Sequence, residues 1–414
     1  MSGGEITDDA VQRLRARIGI AEPHPMPPHY SLPTVDTFRH VAEAYGDDNP
    51  LWCDPNYAAG SCWDGPLAPP ALVGGDTLIG EDEVSGVAPE HVELMKGDPL
   101  RGVHAFYSAS AREWWAPLRP NVRVKRRNAL VGVLDKPSEF AERAIHEWTG
   151  QVFRENEGPL LSAQFRLMIR TERSKARKQK KQDDVVIESY SDDDIEQIEA
   201  QYARERPRGA EPRYWEDVAE GDTIGPMVKG PLTVTDIVCW HVGMGMGLYG
   251  VSALRLAANN RRRIPRFFHR DDLNVPDVMQ RVHWDPEFAR RSGNPTTFDY
   301  GRMRETWLIH LCTDWMGDDA WLFKLDCEFR KFNYVGDTQW LDGTVTRKYL
   351  ADDDRPAVDV EVRATNQRGE LTTPGHATIL LPSREHGAVR LPEPPGAATE
   401  LQQALEATTD RFDK

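Results

Sequence analysis

The chain has 414 residues and a formal net charge of −15, with 39% hydrophobic and 28% charged residues. That balance is ordinary for a globular protein of two or three structural units, and it argues against duplex nucleic acid as the main partner. The five cysteines (Cys53, Cys62, Cys239, Cys312, Cys327) are odd in number and lack C-x-x-C spacing, so neither a disulfide framework nor a metal site is indicated. No apolar run reaches the roughly 18 residues of a spanning helix, and the N-terminus has no apolar h-region, so the expectation is a cytoplasmic protein away from membranes.

Residues 1–33 read as an N-terminal extension: a short amphipathic helix with Val11, Leu14 and Ile18 on one side, then a proline-rich connector. A helix is expected from Thr34 to Tyr45, with Thr34 as N-cap and Phe38, Val41 and Ala42 on its apolar face. The loop GDDNPLWCDPNYAAG follows, then an apolar run from Pro70 to Ile79 where a central helix would sit. Residues 102–133 alternate as strands do. A helix is expected over Pro137 to Glu147, ahead of a hairpin whose turn runs from Glu155 to Gly158. The segment 171–211, with its basic run Arg173 to Lys181 and acidic residues beyond, reads as a charged linker in which Ser191 caps a polar helix reaching Arg204.

The second half opens with YWEDVAEGDTIGP and a helix near Thr235, and residues 244–282 are irregular. The polar run His283-Trp284-Asp285 then leads through Asn294 and Gly301 into an apolar helix. Met303, Trp307, Leu308, Leu311 and Trp315 recur at helical spacing, and Gly317 ends the pattern. Four β-rich stretches follow, and residues 384–414 form a tail.

The halves repeat each other. Asp54-Pro55-Asn56-Tyr57-Ala58 matches Asp285-Pro286-Glu287-Phe288-Ala289, and the turn FRENEGPLLS matches ATNQRGELTT, aligning Gly158 with Gly369. Each half thus reads as loop, central helix and long antiparallel strands, an α+β plan in which a curved sheet wraps a helix. The units span 34–170 and 212–383.

YGDDNPLWCDPNYA resembles the loop of the MaoC-like, R-specific enoyl-CoA hydratases and dehydratases, and the YWEDVAEGD opening and TNQRGE hairpin point the same way. The resemblance implies a double hot-dog fold and reversible hydration of an enoyl thioester, carried by CoA or an acyl carrier protein. No cofactor beyond the CoA of the substrate is implied, and hot-dog sheets lend themselves to homo- or hetero-oligomers. In that family a loop Asp and His activate water, and a backbone N–H at the head of the central helix holds the thioester oxygen. Hydration calls for a group that takes a proton from water and one that protonates Cα, and the oxygen gains charge meanwhile.

In the first half Asp47 and Asn49-Pro50 fit that loop, but Trp52 stands at the histidine position and Pro70, which has no N–H, at the glycine position. This half is expected to be a non-catalytic scaffold. In the second half His283 takes the histidine position and Gly301 the helix-start position. The carboxylate would fall at Val278; Asp277 is one residue away, and His241 and Tyr249 are further donors to consider. Asp285, Asn294 and Tyr300 are candidate substrate contacts, and Arg261 and Arg262 candidate partners of the CoA phosphates. A non-catalytic thioester-binding subunit and a thioesterase are the alternatives, since one fold serves several chemistries.

Overall fold

The computed structural model describes residues 4–24, 27–74, 79–138, 141–156, 158–172, 189–245 and 251–394. The helices are α1 (Asp8–Arg15), α2 (Val35–Ala44), α3 (Pro55–Ala58), α4 (Asp192–Tyr202), α5 (Val234–Gly243), α6 (Leu254–Arg263), α7 (Pro286–Arg291) and α8 (Gly301–Met316). The strands are β1 (Glu81–Asp82), β2 (His104–Trp114), β3 (Val124–Ser138), β4 (Glu142–Glu155), β5 (Leu160–Thr171), β6 (Thr223–Lys229), β7 (Phe268–Arg270), β8 (Pro276–Val278), β9 (Trp321–Glu328), β10 (Gln339–Ala351), β11 (Arg355–Asn366) and β12 (Leu371–Leu380). The basic run at 173–181, Tyr249 and the tail beyond 394 lie outside the described residues. Among the described residues no helix is long and apolar enough to cross a membrane.

Ten strands form one sheet in the order β1-β3-β4-β5-β2-β9-β12-β11-β10-β6, and β7 and β8 form a separate hairpin. The halves join where β2 runs antiparallel to β9, with Ala111 opposite Asp326 and Glu113 opposite Lys324. Lys324 Nζ meets Glu113 Oε1 at 2.7 Å across this seam. Pairing the halves here removes an open edge from each.

In the second half the sheet wraps α8, of which every residue except Gly301 and Asp314 is buried. The residues Val358, Val360, Val362 and Ala364 of β11 belong to the same core. A helix enclosed on all sides is usually apolar throughout, yet α8 carries Arg302, Arg304, Glu305 and His310, and each needs a partner in the interior. Glu305 receives Arg112 Nε and Nη2 from β2 at 2.8 and 2.7 Å.

The first half departs from the expected plan. Among its described residues no central helix follows the loop, and residues 70–74 are turns. The carbonyls of this segment find donors elsewhere. Trp114 Nε1 donates to Pro70 O (3.0 Å) and Val73 O (3.3 Å), Ser162 Oγ to Val73 O (3.3 Å), and Arg112 Nη1 to Gly74 O (3.2 Å). Arg302 Nη2, from α8, reaches Ala71 O (3.1 Å) and Gly74 O (2.6 Å). Side chains thus supply what helical N–H groups would have supplied. Gly74 has φ +117°, a region disfavoured for other residues.

The helix expected over Pro137 to Glu147 is also corrected: these residues end β3 and begin β4, which pairs with β3 and β5. Ile145 and Val133 pack on Val11 and Leu14 of α1, so burial between neighbouring strands overrides helical propensity. Elsewhere α2, α4 with its Ser191 cap, both hairpins, and α8 ending at Gly317 stand as expected. Helices α2 and α5 are a repeated pair, each opened by a threonine capping box at Thr34 and Thr233. They cross at Gly243, where a Cβ would come within 2.5 Å of His40 O and 2.6 Å of Ala44 Cβ. That crossing brings Trp240 and His241 to the head of α8.

Candidate functional site

The repeated loops have one local structure. In the first half a 3₁₀ turn, Pro50–Trp52, ends at Trp52, and Asp54 then caps α3 by accepting from Asn56 N (2.9 Å) and Tyr57 N (3.3 Å). In the second half a 3₁₀ turn, Met279–His283, ends at His283, and Asp285 caps α7 by accepting from Phe288 N (2.9 Å). Asp285 therefore shapes the loop, and its other oxygen lies 3.7 Å from Arg281 Nε.

His283 Nδ1 lies 2.8 Å from Phe298 O. A carbonyl only accepts, so Nδ1 carries the hydrogen and Nε2 presents its lone pair. Burial, with a smaller contribution from His241 nearby, pushes the imidazole pKa down to about 4 against the raising effect of the Phe298 carbonyl. The ring is therefore neutral near pH 7 and is a base. It lies against Tyr300, with centroids 3.9 Å apart, and edge-on to Phe298 at 4.8 Å.

Tyr300 is the N-cap of α8 and gives it no side-chain cap. The opening N–H groups, Gly301 first, thus have no side-chain acceptor at the positive end of a 16-residue helix. A Cβ on Gly301 would meet the Phe329 ring at 3.3 Å. Trp240 (5.5 Å, stacked) and His241 (6.0 Å) also lie against Tyr300. Tyr300 Oη and His241 Nδ1 are buried without a hydrogen-bond partner among the described residues. One residue earlier, Asp299 accepts from Arg304 Nε (2.9 Å) and Asn333 Nδ2 (3.1 Å), which pins the entry to α8. Burial raises its pKa to about 6 despite Arg304.

The structure thus gathers His283, Tyr300 and the Gly301 N–H, together with His241, one of the further donors considered from the sequence. It does not bring Asp277 to His283. Asp277 sits on the β7–β8 hairpin, its carboxylate accepts from Val278 N at 2.7 Å, and Arg281 is 4.0 Å away. Among the described residues no hydrogen bond of His283 goes to a carboxylate. Asn294 closes the end of α7 through its backbone, donating to Ala289 O. Arg261 lies over the Phe268 ring at 6.0 Å, and Arg262 hydrogen-bonds Asn259; neither has a hydrogen bond or ring contact with His283.

The first half's version of the site is closed. Trp52 Nε1 donates to Asp47 Oδ2 at 2.9 Å, and an indole N–H, unlike an imidazole, is a donor only and cannot act as a base. Trp52, Trp63 and Trp321 surround a small void beside Pro70. Asn49 Nδ2 and Tyr57 Oη donate to Asp318, just beyond α8, at 2.8 and 2.6 Å.

No protein-family model and no curated protein sequence matches the chain. Among solved structures it is similar to a MaoC-like dehydratase, with a TM-score of 0.57 and 17% identity over 89% of this chain and 99% of that one. It is also similar to a putative MaoC domain protein dehydratase from Chloroflexus aurantiacus, with a TM-score of 0.53 and 13% identity over 89% of this chain and 96% of that one. The chain has the double hot-dog fold, and it shares that fold with the MaoC-like dehydratases.

Proposed function

We propose that the chain is an acyl-thioester hydratase or dehydratase whose chemistry resides in the second half. The observation that carries this reading is a neutral histidine, held by its Nδ1, whose ring lies against the residue preceding an uncapped helix N-terminus. In hydration His283 Nε2 takes a proton from water as the water oxygen bonds to Cβ. The Cα–Cβ π pair moves toward the carbonyl, and the Gly301 N–H stabilises the enolate oxygen. The imidazolium then returns its proton to Cα as the carbonyl re-forms. Dehydration runs the same steps backwards. One imidazole serves as base and then acid, so no carboxylate partner is required, and water and the thioester are the only reactants. Arg261 and Arg262 are proposed contacts for the phosphates of the acyl carrier.

The test follows the conjugated thioester absorbance of crotonyl-CoA and of an acyl-carrier-protein enoyl thioester. His283→Ala is expected to lower the hydration rate by at least ~100-fold; full activity in this variant overturns the assignment. Among the described residues no carboxylate hydrogen-bonds His283, which favours one other reading, a thioester-binding subunit without turnover. Tight binding with no hydration of either substrate would select it, whereas release of free thiol would mark a thioesterase.

A further inference from the structure

A second set of buried ionisable side chains lies where the halves meet, apart from the site above. Asp47 comes from the first half's loop, His310 and Asp314 from successive turns of α8, and Lys229 from the end of β6. Asp47 and His310 are 2% and 5% exposed, and the Asp314 side chain, at 14%, is the face nearest solvent. His310 Nε2 points between two carboxylates, 3.3 Å from Asp314 Oδ1 and 3.9 Å from Asp47 Oδ1. The second distance is too long for a hydrogen bond. One ligand atom from each of the three residues lies within 4.8 Å of the others.

We infer that Asp47, His310 and Asp314 bind a divalent transition metal ion, of the zinc or manganese class, that ties the first half's loop to α8. One imidazole with two carboxylates is a donor set such ions accept. Ligand atoms at these separations leave room for an ion about 2.0–2.2 Å from each after small adjustments. The outer contacts fix the orientation of the donors. Lys229 Nζ holds His310 Nδ1 at 2.8 Å and Tyr45 O at 3.1 Å, which turns Nε2 toward the carboxylates. Asp47 Oδ2 accepts from Trp52 Nε1 (2.9 Å) and Tyr45 Oη (3.1 Å), and its Oδ1 from Asn49 N (3.0 Å).

The inference is independent of the hydratase reading and is tested without an activity assay. The full chain is stripped with a chelator and titrated with Co²⁺, followed by its visible d–d absorption, and with Zn²⁺, followed by elemental analysis after dialysis and by thermal unfolding. The expected results are one ion per chain and a rise in Tm that grows with free metal. His310→Ala and the milder Asp314→Asn should each weaken Co²⁺ binding at least ~10-fold, with circular dichroism confirming that they fold. Lys229→Met should bind at least as tightly as the natural chain, because it removes a competing cation. The proposal is overturned if Co²⁺ gives no d–d bands, or if binding is unchanged in both Asp314→Asn and His310→Ala. It is equally overturned if Lys229→Met is destabilised and binds no metal, which would mark the cluster as an ion-pair network closed by Lys229.

Discussion

At the scale of single residues, the chemistry of His283 follows from its surroundings. Burial holds its pKa near 4, well below the ordinary value of about 6.5. The acid limb of kcat/KM should therefore fall near pH 4, with activity flat from about pH 5 to 7; a limb near 6.5 would contradict the burial argument. The sign for stability is the same. The folded state favours the neutral ring, so this contribution is complete above pH 6.5 and is lost as pH falls from there through 4. Gly301 permits a sharper test. Proline suits the first position of a helix, and Tyr300, at φ −78° and ψ 129°, already has the extended backbone that precedes one. Gly301→Pro thus deletes the proposed oxyanion donor, provided the Phe329 ring shifts slightly. It should lower kcat by ~100–1,000-fold with little change in the circular dichroism spectrum. Retained kcat would remove the N–H from the mechanism. His283, Tyr300 and Gly301 were legible in the sequence because the repeated Asp-Pro cap fixes where each loop ends. Asp277 does not meet His283 because it belongs to strand β8, paired with His269 of β7, and a 3₁₀ turn separates it from the histidine.

At the scale of elements, α8 dominates, and its existence was plain from apolar spacing and Gly317. Its partners were not, since nothing local pairs Glu305 with Arg112 on a strand of the other half. Both side chains of that pair are fully buried. Breaking such a pair strands a charge, so Arg112→Ala or Glu305→Ala should each cost ~3–5 kcal/mol in denaturant unfolding. Replacing both, as Arg112→Met with Glu305→Leu, should cost less than the sum of the two single changes. An additive result would mean the ion pair is not what couples β2 to α8. The cluster around His310 escaped the sequence reading for the same reason. The i,i+4 pair His310 and Asp314 was its local signal, but Asp47 and Lys229 are contributed by distant segments.

At the scale of the whole molecule, the duplication was legible from two short matches, whereas the single sheet was not. Alternation reveals that a strand has two faces but not which strand lies beside it, so the β2–β9 seam emerges only in three dimensions. The asymmetry of the halves was half legible. Trp52 and Pro70 marked the difference in side chains, while the absence of a central helix among the described residues was hidden because the run Pro70 to Ile79 is apolar enough to be one. Trp52→His with Pro70→Gly restores both side-chain signatures of the family loop in the first half. Placed in a His283→Ala background, the double change should nonetheless leave hydration undetectable above that background in the same absorbance assay; any recovery would contradict the reading of residues 70–74.

The turn at residues 70–74, with its carbonyls taken by Arg112, Trp114, Ser162 and Arg302, makes a central helix hard to build into the first half by substitution. The arginine from α8 occupies ground that such a helix would have to take. Each partial step toward it would bury an unpartnered guanidinium or leave carbonyls unmet before any catalytic benefit appeared.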